Sequence, residues 1–324
     1  MTEFTARIAG IGSYLPERIL TNEEMSSMVD TSDSWIRERT GIRQRHIAPE
    51  GVTTADLAEQ AARRALDHAG LTGEDVDLIV VATTTPDFTF PSVGTMLQAR
   101  LGATKGAAFD VQAVCTGFVY ALSVADNMIA RGQAKTALVV GAETMSRILD
   151  WTDRTTCVLF GDGAGAMVLT GEEAGEGEQP GILGTYLRSD GRFKDLLHVD
   201  GGPSSTGTVG QLRMIGNQVF RHAVTNIAES MTTIAGRAGI GIADIDWFVP
   251  HQANQRILEG VARKLSIPTE KVISTVADHG NTSAASVPLA FDRAVQDGRI
   301  KRGDLVLMEA LGGGFTWGAA LARY

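Results

Sequence analysis

Apolar positions along the chain fall into two alternating kinds of run. Over residues 55–68 they recur every three or four positions, as on one face of a helix, and Gly70 follows as a stop signal. Residues 226–238, closed by Gly239, repeat that arrangement. Between such stretches lie short, largely apolar runs at 78–82, 136–141, 247–249 and 305–308, which suit strands covered on both faces. Helices alternating with buried strands predict an α/β protein.

The same units return at a constant interval. Ala69-Gly70, Asp75-Val76-Asp77 and the apolar run from Leu78 recur as Ala238-Gly239, Asp244-Ile245-Asp246 and the run from Trp247. The stretch from Lys135 recurs from Asp304, at the same separation that divides Gly70 from Gly239. Two copies of this length predict a pair of related half-domains, not a solenoid array. The charged, Gly-rich segment 171–181 is the expected connection, dividing the chain into residues 1–174 and 175–324; a surface hairpin loop is the competing reading.

Composition excludes several classes. With 324 residues, 44% hydrophobic, 37 Gly and only 9 Pro, the chain can bury a large core and fits neither a disordered nor a fibrous protein. The start, MTEFTARIAG, lacks the basic and apolar regions of a secretory signal, and no apolar run approaches the ~18 residues that span a bilayer, so a cytoplasmic protein off the membrane is expected. A net charge of -9 weighs against broad nucleic-acid binding. Two cysteines and six scattered histidines form no ligand-spaced cluster, so neither a metal site nor a disulfide framework is expected.

A lone cysteine is then free to do chemistry. A strand over 106–113 and a helix over 115–131, with Phe118, Leu122, Ala125 and Ile129 on one stripe, place Cys115 where strand becomes helix. Amide N–H groups and the positive end of the helix dipole point there, which lowers a thiol's pKa and favours the nucleophilic thiolate; a small structural cysteine is the other reading of position alone. Cys157, in the strand-like run 156–160, reads as structural.

His251 follows the strand 247–249 at its carboxyl end, where α/β sheets commonly carry sites. Asn281 lies between a strand around 271–277 and a helix beginning near Ser283. It is either a helix cap or, because this connection matches the place of Cys115 in the first half, one side of a site that faces Cys115 across a pseudo-symmetry axis. His68 and His222, on predicted helices, read as structural. The string 161–166 meets the loose GxGxxA pattern but leads into a strand, so no nucleotide site is expected there. Gly312-Gly313-Gly314 after the strand 305–308 allow close backbone approach or amide donors to a ligand, or form a tight turn.

Four ordered strings carry a resemblance over essentially the whole chain: Asp110-Val-Gln-Ala-Val-Cys115-Thr-Gly-Phe118, Val249-Pro-His251-Gln-Ala-Asn254, His279-Gly-Asn281-Thr-Ser-Ala-Ala-Ser286 and Gly312-Gly-Gly-Phe-Thr-Trp317. They closely resemble the 3-oxoacyl-(acyl-carrier-protein) synthase III family, the initiating condensing enzymes of type II fatty acid synthesis. The resemblance implies a thiolase-like five-layered α-β-α-β-α sandwich of two duplicated halves, assembled as a homodimer. It implies acylation of Cys115 by a short acyl-CoA, such as acetyl-CoA, and condensation with malonyl carrier protein to a 3-oxoacyl carrier protein. His251 and Asn281 would hold the thioester oxygen of the malonyl donor during loss of carbon dioxide, and the amides of Cys115 and Gly313 would form an oxyanion hole. For coenzyme A, which is substrate and not cofactor, the family implies Trp35 and Arg154 around the adenine, Arg39 near the phosphates, and Gly216, Asn217 and Asn254 along the pantetheine. Arg221, Arg256, Arg263 and Lys264 match a basic surface that docks acyl carrier protein. Phe90 matches a residue that closes the partner subunit's acyl pocket, and its bulk suggests a short primer. Leu311 departs from the Phe that some relatives carry before the three glycines. An acyl-cysteine relative that transfers starter units or forms esters in secondary metabolism is the alternative; a non-catalytic acyl-CoA or carrier-binding module is disfavoured by the Cys115, His251 and Asn281 set.

Overall fold

The computed structural model describes residues 4–173 and 181–324. The strands are β1 (Phe4–Tyr14), β2 (Ile19–Thr21), β3 (Gln44–His46), β4 (Leu78–Ala82), β5 (Ala107–Val111), β6 (Thr136–Thr144), β7 (Asp162–Glu173), β8 (Gly181–Ser189), β9 (Leu197–Val199), β10 (Leu212–Met214), β11 (Trp247–Pro250), β12 (Leu305–Gly312) and β13 (Thr316–Arg323). The helices are α1 (Asn22–Met28), α2 (Asp33–Thr40), α3 (Thr54–Ala69), α4 (Val93–Leu101), α5 (Gly117–Ala130), α6 (Gly216–Arg237), α7 (Gln255–Leu265), α8 (Val276–His279) and α9 (Ser286–Gln296).

Two sheets organise the chain. One runs β1-β7-β6-β4-β5, the other β11-β12-β13-β8, and in each a parallel pairing joins counterpart strands, β4 with β6 and β11 with β12. β4 begins at Leu78 and β11 at Trp247, β6 at Thr136 and β12 at Leu305. Both pairs keep the separation of Gly70 from Gly239, so the interval in the sequence is the interval between equivalent strands. The strands of the first sheet end at Glu173 and those of the second begin at Gly181. The expected division at 174/175, and most of the expected connection 171–181, lie outside the described residues.

Period-two alternation explains the layering. On β4, Leu78, Val80 and Ala82 face a core shared with α5 and α9, whereas Ile79 and Val81 face a second core against α3 and α4. On β12, Val306, Met308 and Ala310 face the shared core, whereas Leu305, Leu307 and Leu311 face α6 and α7. Both faces of both sheets are therefore covered, giving layers α3/α4, sheet, α5/α9, sheet, α6/α7. The strands read as unbroken apolar runs for this reason. The GxGxxA string begins β7. A Cβ added at Gly165 would fall 2.7 Å from Pro288 Cβ and 2.8 Å from Leu289 N, so these glycines let α9 lie on the sheet and form no nucleotide loop.

Three expectations of local structure change. Residues 156–160 are turns, not strand: Cys157 N donates to Asp153 O at 3.0 Å and Leu159 N to Thr156 O at 3.0 Å. Their apolar character reflects core burial, which needs no period. Residues 271–277 form a 3-10 turn at Thr269–Lys271, one bridge from Val272 to Phe248, and then α8. Finally, α6 starts at Gly216, about three turns before the expected 226, because Val219 and Ala223 extend the buried stripe of Ile227 backwards beneath exposed Asn217, Gln218 and Arg221.

Candidate active site

The centre of the molecule is a seam between two matching turns. Val114–Thr116 and Ser283–Ala285 are both 3-10 turns at equivalent positions of the duplication, and each runs directly into a helix of the central layer, α5 or α9. Each opens on a non-glycine residue in the left-handed region, Val114 at φ 50° and Ser283 at φ 48°. That conformation is uncommon, for a β-branched residue most of all, and persists only where surrounding structure enforces it. The two turns pack against each other, and the end of β12 packs on the first.

Cys115 sits in that first turn with 3% of its surface exposed. A Cβ on Gly312 would fall 2.6 Å from Cys115 N, so glycine at this position is what lets β12 lie against the backbone of Cys115. Its turn packs against the turn that opens on Ser283, whose side chain pulls the thiol's pKa downward. Here the sequence-based expectation of a lowered thiol pKa is overturned. Burial pushes the Cys115 thiol up to about 12, against the weaker downward pull of Ser283, and the charge of Glu143 adds to the rise. Burial thus favours the protonated thiol over the thiolate. Cys157 is also buried, and burial raises it to about 11.

His251 follows β11, its N–H donating to Glu309 O at 2.8 Å. Its Nδ1 lies 2.6 Å from Ser286 Oγ, the first residue of α9. Ser286 Oγ also accepts from Gln252 N at 3.3 Å, so its own hydrogen is free to point at Nδ1. The imidazole then carries its proton on Nε2, as a donor. Burial lowers the pKa to about 3, which keeps the ring neutral.

The Gln252 side chain ties this loop to the Asn281 segment, accepting from Thr275 N at 2.7 Å and Val276 N at 3.1 Å and donating to Ile273 O at 3.1 Å. Asn281 is held by backbone bonds to Leu159 and Gly161, and its Oδ1 accepts from Ser283 N at 2.9 Å. Committing Oδ1 leaves the Nδ2 hydrogens as donors. Cys115, Asn281 and Ser283 thus belong to one connected turn assembly, and His251 joins it through Ser286.

Glu309 shows what holds the strand beside His251. It is fully buried, its Oε2 has no hydrogen-bond partner, and it lines a small apolar cavity with Met231, Phe248, Leu258 and Val261. Burial raises its pKa to about 8, so the carboxyl is largely neutral at pH 7. A pKa above the unfolded value means that the contribution to stability is full below about pH 4.5 and is lost as pH rises to about 8, by about 1.4 kcal/mol for each pH unit crossed. Glu309→Gln removes this titration. The variant's melting temperature is expected to fall less than the wild type's between pH 5 and pH 9, and parallel curves would contradict the assignment.

The remaining sequence candidates occupy several other places. On α2, the Trp35 ring carries Arg39 Cζ at 4.6 Å and Arg154 Cζ at 5.2 Å from its centroid, with Arg154 also donating to Asp30 O at 2.8 Å. A planar ring between Trp35 and Arg154 requires about 7 Å, two contacts of about 3.5 Å, so Arg154 here stands where such a ring would stack. The end of α2 abuts the start of α7, where Asn254 caps the helix by accepting from Ile257 N at 3.0 Å. Gly216 and Asn217 form the exposed first turn of α6. Arg221 on α6 and Arg256, Arg263 and Lys264 on α7 are exposed on two helices packed together. Leu311 is buried on β12 and Gly313 follows that strand, whereas Phe90 is 83% exposed on the loop between β4 and α4. His222 packs its ring 4.3 Å from that of Phe193, as a structural residue would.

Sequence reasoning assigned no part to Ser283, Ser286 or Glu143. Both serines stand in the string that follows Asn281, and three successive threonines, Thr83 to Thr85, mark the polar lining around Glu143. Among the described residues no three His, Cys, Asp or Glu gather as a metal site, and no helix is long and apolar enough to cross a membrane.

A duplicated sheet-and-helix sandwich with its cysteine at the central seam is a thiolase-like fold. Family models described as 3-oxoacyl-(acyl-carrier-protein) synthase III and its C-terminal region match residues 109–191 and 236–324. The beta-ketoacyl-(acyl-carrier-protein) synthase III of Rhodospirillum centenum is 65% identical over 98% of both chains, and that of Caulobacter vibrioides 62% over 98% of both. The crystal structure of 3-oxoacyl-(acyl-carrier-protein) synthase III from Aquifex aeolicus superposes with a TM-score of 0.93 at 47% identity, covering 98% of this chain and all of that one. The chain belongs to the 3-oxoacyl-(acyl-carrier-protein) synthase III family.

Proposed function

We propose that this enzyme performs the first condensation of fatty acid synthesis in the cytoplasm, joining a short acyl-CoA to malonyl carrier protein with release of carbon dioxide. The observation that carries the reading is the seam: a buried thiol at one turn, and at its counterpart a carboxamide and an imidazole that each keep an N–H donor uncommitted. Acylation of Cys115 comes first. Decarboxylation of the malonyl group then leaves an enolate, whose oxygen the Nε2–H of His251 and the Nδ2–H of Asn281 are suited to bind. Donors fixed in advance stabilise such a charge by roughly 3 kcal/mol each. The enolate carbon attacks the Cys115 thioester, with the amides of Cys115 and Gly313 receiving the tetrahedral oxyanion. The two half-reactions predict ping-pong kinetics.

Trp35, Arg39 and Arg154 gather beside α2, Asn254 stands at the start of the adjoining α7, and Gly216 and Asn217 form the exposed first turn of α6, placements that suit coenzyme A as the acyl donor. The basic faces of α6 and α7 support docking of an acidic carrier protein by electrostatic steering. The exposed Phe88 and Phe90, beside β5 at the edge of its sheet, support a homodimer in which Phe90 closes the partner's acyl pocket around a short primer. A monomer mass on sedimentation would remove Phe90 from that role.

One assay tests the reading. Incubation with mixed acyl-CoAs is expected to add a short acyl mass to the Cys115 peptide, and malonyl carrier protein then to discharge it with carbon dioxide. Loading without carbon dioxide release would favour starter transfer or ester formation instead. In the same assay, Arg256→Glu with Lys264→Glu is expected to raise the KM for carrier about tenfold while loading from acyl-CoA is unchanged; equal loss of both would reject the docking role.

A further inference from the structure

A fully buried arginine stands behind Asn281, and the reaction above gives it no part. Arg45 lies on β3 with no exposed surface. Its Nη1 donates to Leu20 O at 3.1 Å, and its Nη2 donates to Asn22 Oδ1 at 2.9 Å and to Val158 O at 2.7 Å. The Asn22 amide is turned to receive it, because Asn22 Nδ2 donates to Ile42 O at 2.7 Å and to Asp33 Oδ1 at 2.9 Å. None of the three acceptors carries a charge. Burial pulls the guanidinium down to about 10, which leaves it a cation at neutral pH, and taking a cation out of water is costly. What the rigid fork gains is a fixed arrangement of three segments: β2, the start of α1 and the turn that precedes β7.

That turn carries Asn281. Asn281 N donates to Leu159 O at 2.9 Å, Gly161 N donates to Asn281 O at 3.0 Å, and Phe160 and Asn281 form a parallel bridge. Val158, which accepts from Arg45, immediately precedes Leu159. The chain is shaped to the arginine on both strands of this bridge. A Cβ added at Gly161 would fall 2.9 Å from Arg45 Cβ, and one at Gly280 would fall 3.0 Å from Arg45 Cβ and 3.0 Å from Leu159 O, so two glycines let the bridged backbone lie against the Arg45 stem. The residue before β3 holds the same segment again, Arg43 N donating to Ala277 O at 2.8 Å. From the other side the carboxamide is oriented by Ser283, whose N–H donates to Asn281 Oδ1 at 2.9 Å and whose hydroxyl donates to Oε1 of the buried Glu143 on β6 at 3.0 Å. None of the Arg45 acceptors belongs to the Cys115 turn or to the loop of His251.

We infer that Arg45 is a positioning residue for Asn281: its hold on Val158 sets where the bridged backbone of Asn281 lies, and with it the place at which the Nδ2–H donor meets the enolate oxygen. The inference rests on the donor role of Asn281 proposed above. Arg45 touches no reacting atom and acts through the turn that Val158 begins. Its removal leaves the thiol and its turn in place and displaces one of the two donors. Misplacing a reacting group by about 1 Å lowers a rate by as much as about 100-fold, whereas loading of Cys115, which does not use Asn281, is spared. Lysine is no substitute, since a single ammonium on a flexible stem cannot span acceptors on three segments.

The experiment follows the two half-reactions separately in wild type, Asn281→Ala, Arg45→Met and the double variant, with melting temperatures recorded alongside. Loading is read as acyl mass on the Cys115 peptide after incubation with acetyl-CoA, and decarboxylation as carbon dioxide released from malonyl carrier protein. Arg45→Met keeps the length of the stem and removes the donors. It is expected to load within about twofold of wild type while carbon dioxide release falls by about 10- to 100-fold. In the Asn281→Ala background it should cost less than about twofold further, because the donor that it places is already gone. Unchanged carbon dioxide release, a parallel loss of loading and release, or a loss that multiplies with that of Asn281→Ala overturns the positioning role; the last two are what a purely structural arginine would give. Should Arg45→Met fail to fold, Arg45→Lys decides alone, with the same split expected at about tenfold and the same three results against it. Wild type that neither loads nor releases carbon dioxide rejects the proposed function, and Asn281→Ala that releases it normally rejects the donor role of Asn281, so each failure is read apart from that of Arg45.

Discussion

Cys115→Ser is expected to lower condensation by at least about 1,000-fold and to leave no acyl mass on its peptide after incubation with acyl-CoA. Serine preserves the shape of a side chain that is 3% exposed, so the fold and melting temperature should change little. What is lost is an ionisable, polarisable sulfur, since a hydroxyl in the same place is far harder to deprotonate. Condensation at the wild-type rate by an unacylated variant would end the covalent mechanism.

His251→Ala and Asn281→Ala are expected to separate the two half-reactions. Loading of Cys115 from acyl-CoA should persist, while carbon dioxide release from malonyl carrier protein should fall by about 100- to 1,000-fold in each variant. The double variant should lose little more than either alone if both donors serve one oxygen. The neutral imidazole also fixes a pH dependence. With a pKa lowered to about 3, His251 keeps a free Nε2–H donor unchanged across pH 5 to 8, so decarboxylation should show no step near pH 6.5. A step there, absent from His251→Ala, would mean that the ring works as imidazolium. Equal loss of loading and decarboxylation would mean that these side chains support the cysteine instead of the enolate.

Much of this site was legible in the sequence because chain order and duplication are one-dimensional signals. The constant interval between repeated strings brought the Cys115 and Asn281 segments into register, and the same register relates the two turns at Val114 and Ser283. His251 was legible because it ends an apolar run at the carboxyl edge of a strand. The ionisation of Cys115 was not. Position at a helix start speaks for a thiolate, but the depth at which two sheets and two helices enclose it is a tertiary quantity, and that burial pushes the thiol up. Nor was the buried setting of Glu143, whose partners come from the loop after β4 and from a turn 140 positions away, with no spacing to betray them. Gln252 replaced an expected strand over 271–277, since a side-chain amide satisfies the backbone groups that a ladder would otherwise pair. Phe90 is a surface residue within one chain, and its assignment depends on a second.

The mirrored turns also govern how the molecule can fail. The sulfur and the groups proposed to cradle the enolate are contributed from opposite sides of a single internal boundary, so on that reading neither portion owns a working set, and partial unravelling of either one should silence the chemistry altogether. Catalytic output therefore doubles as a gauge of global cohesion: during denaturation it should vanish no later than the earliest spectroscopic sign of opening, leaving no half-competent species behind.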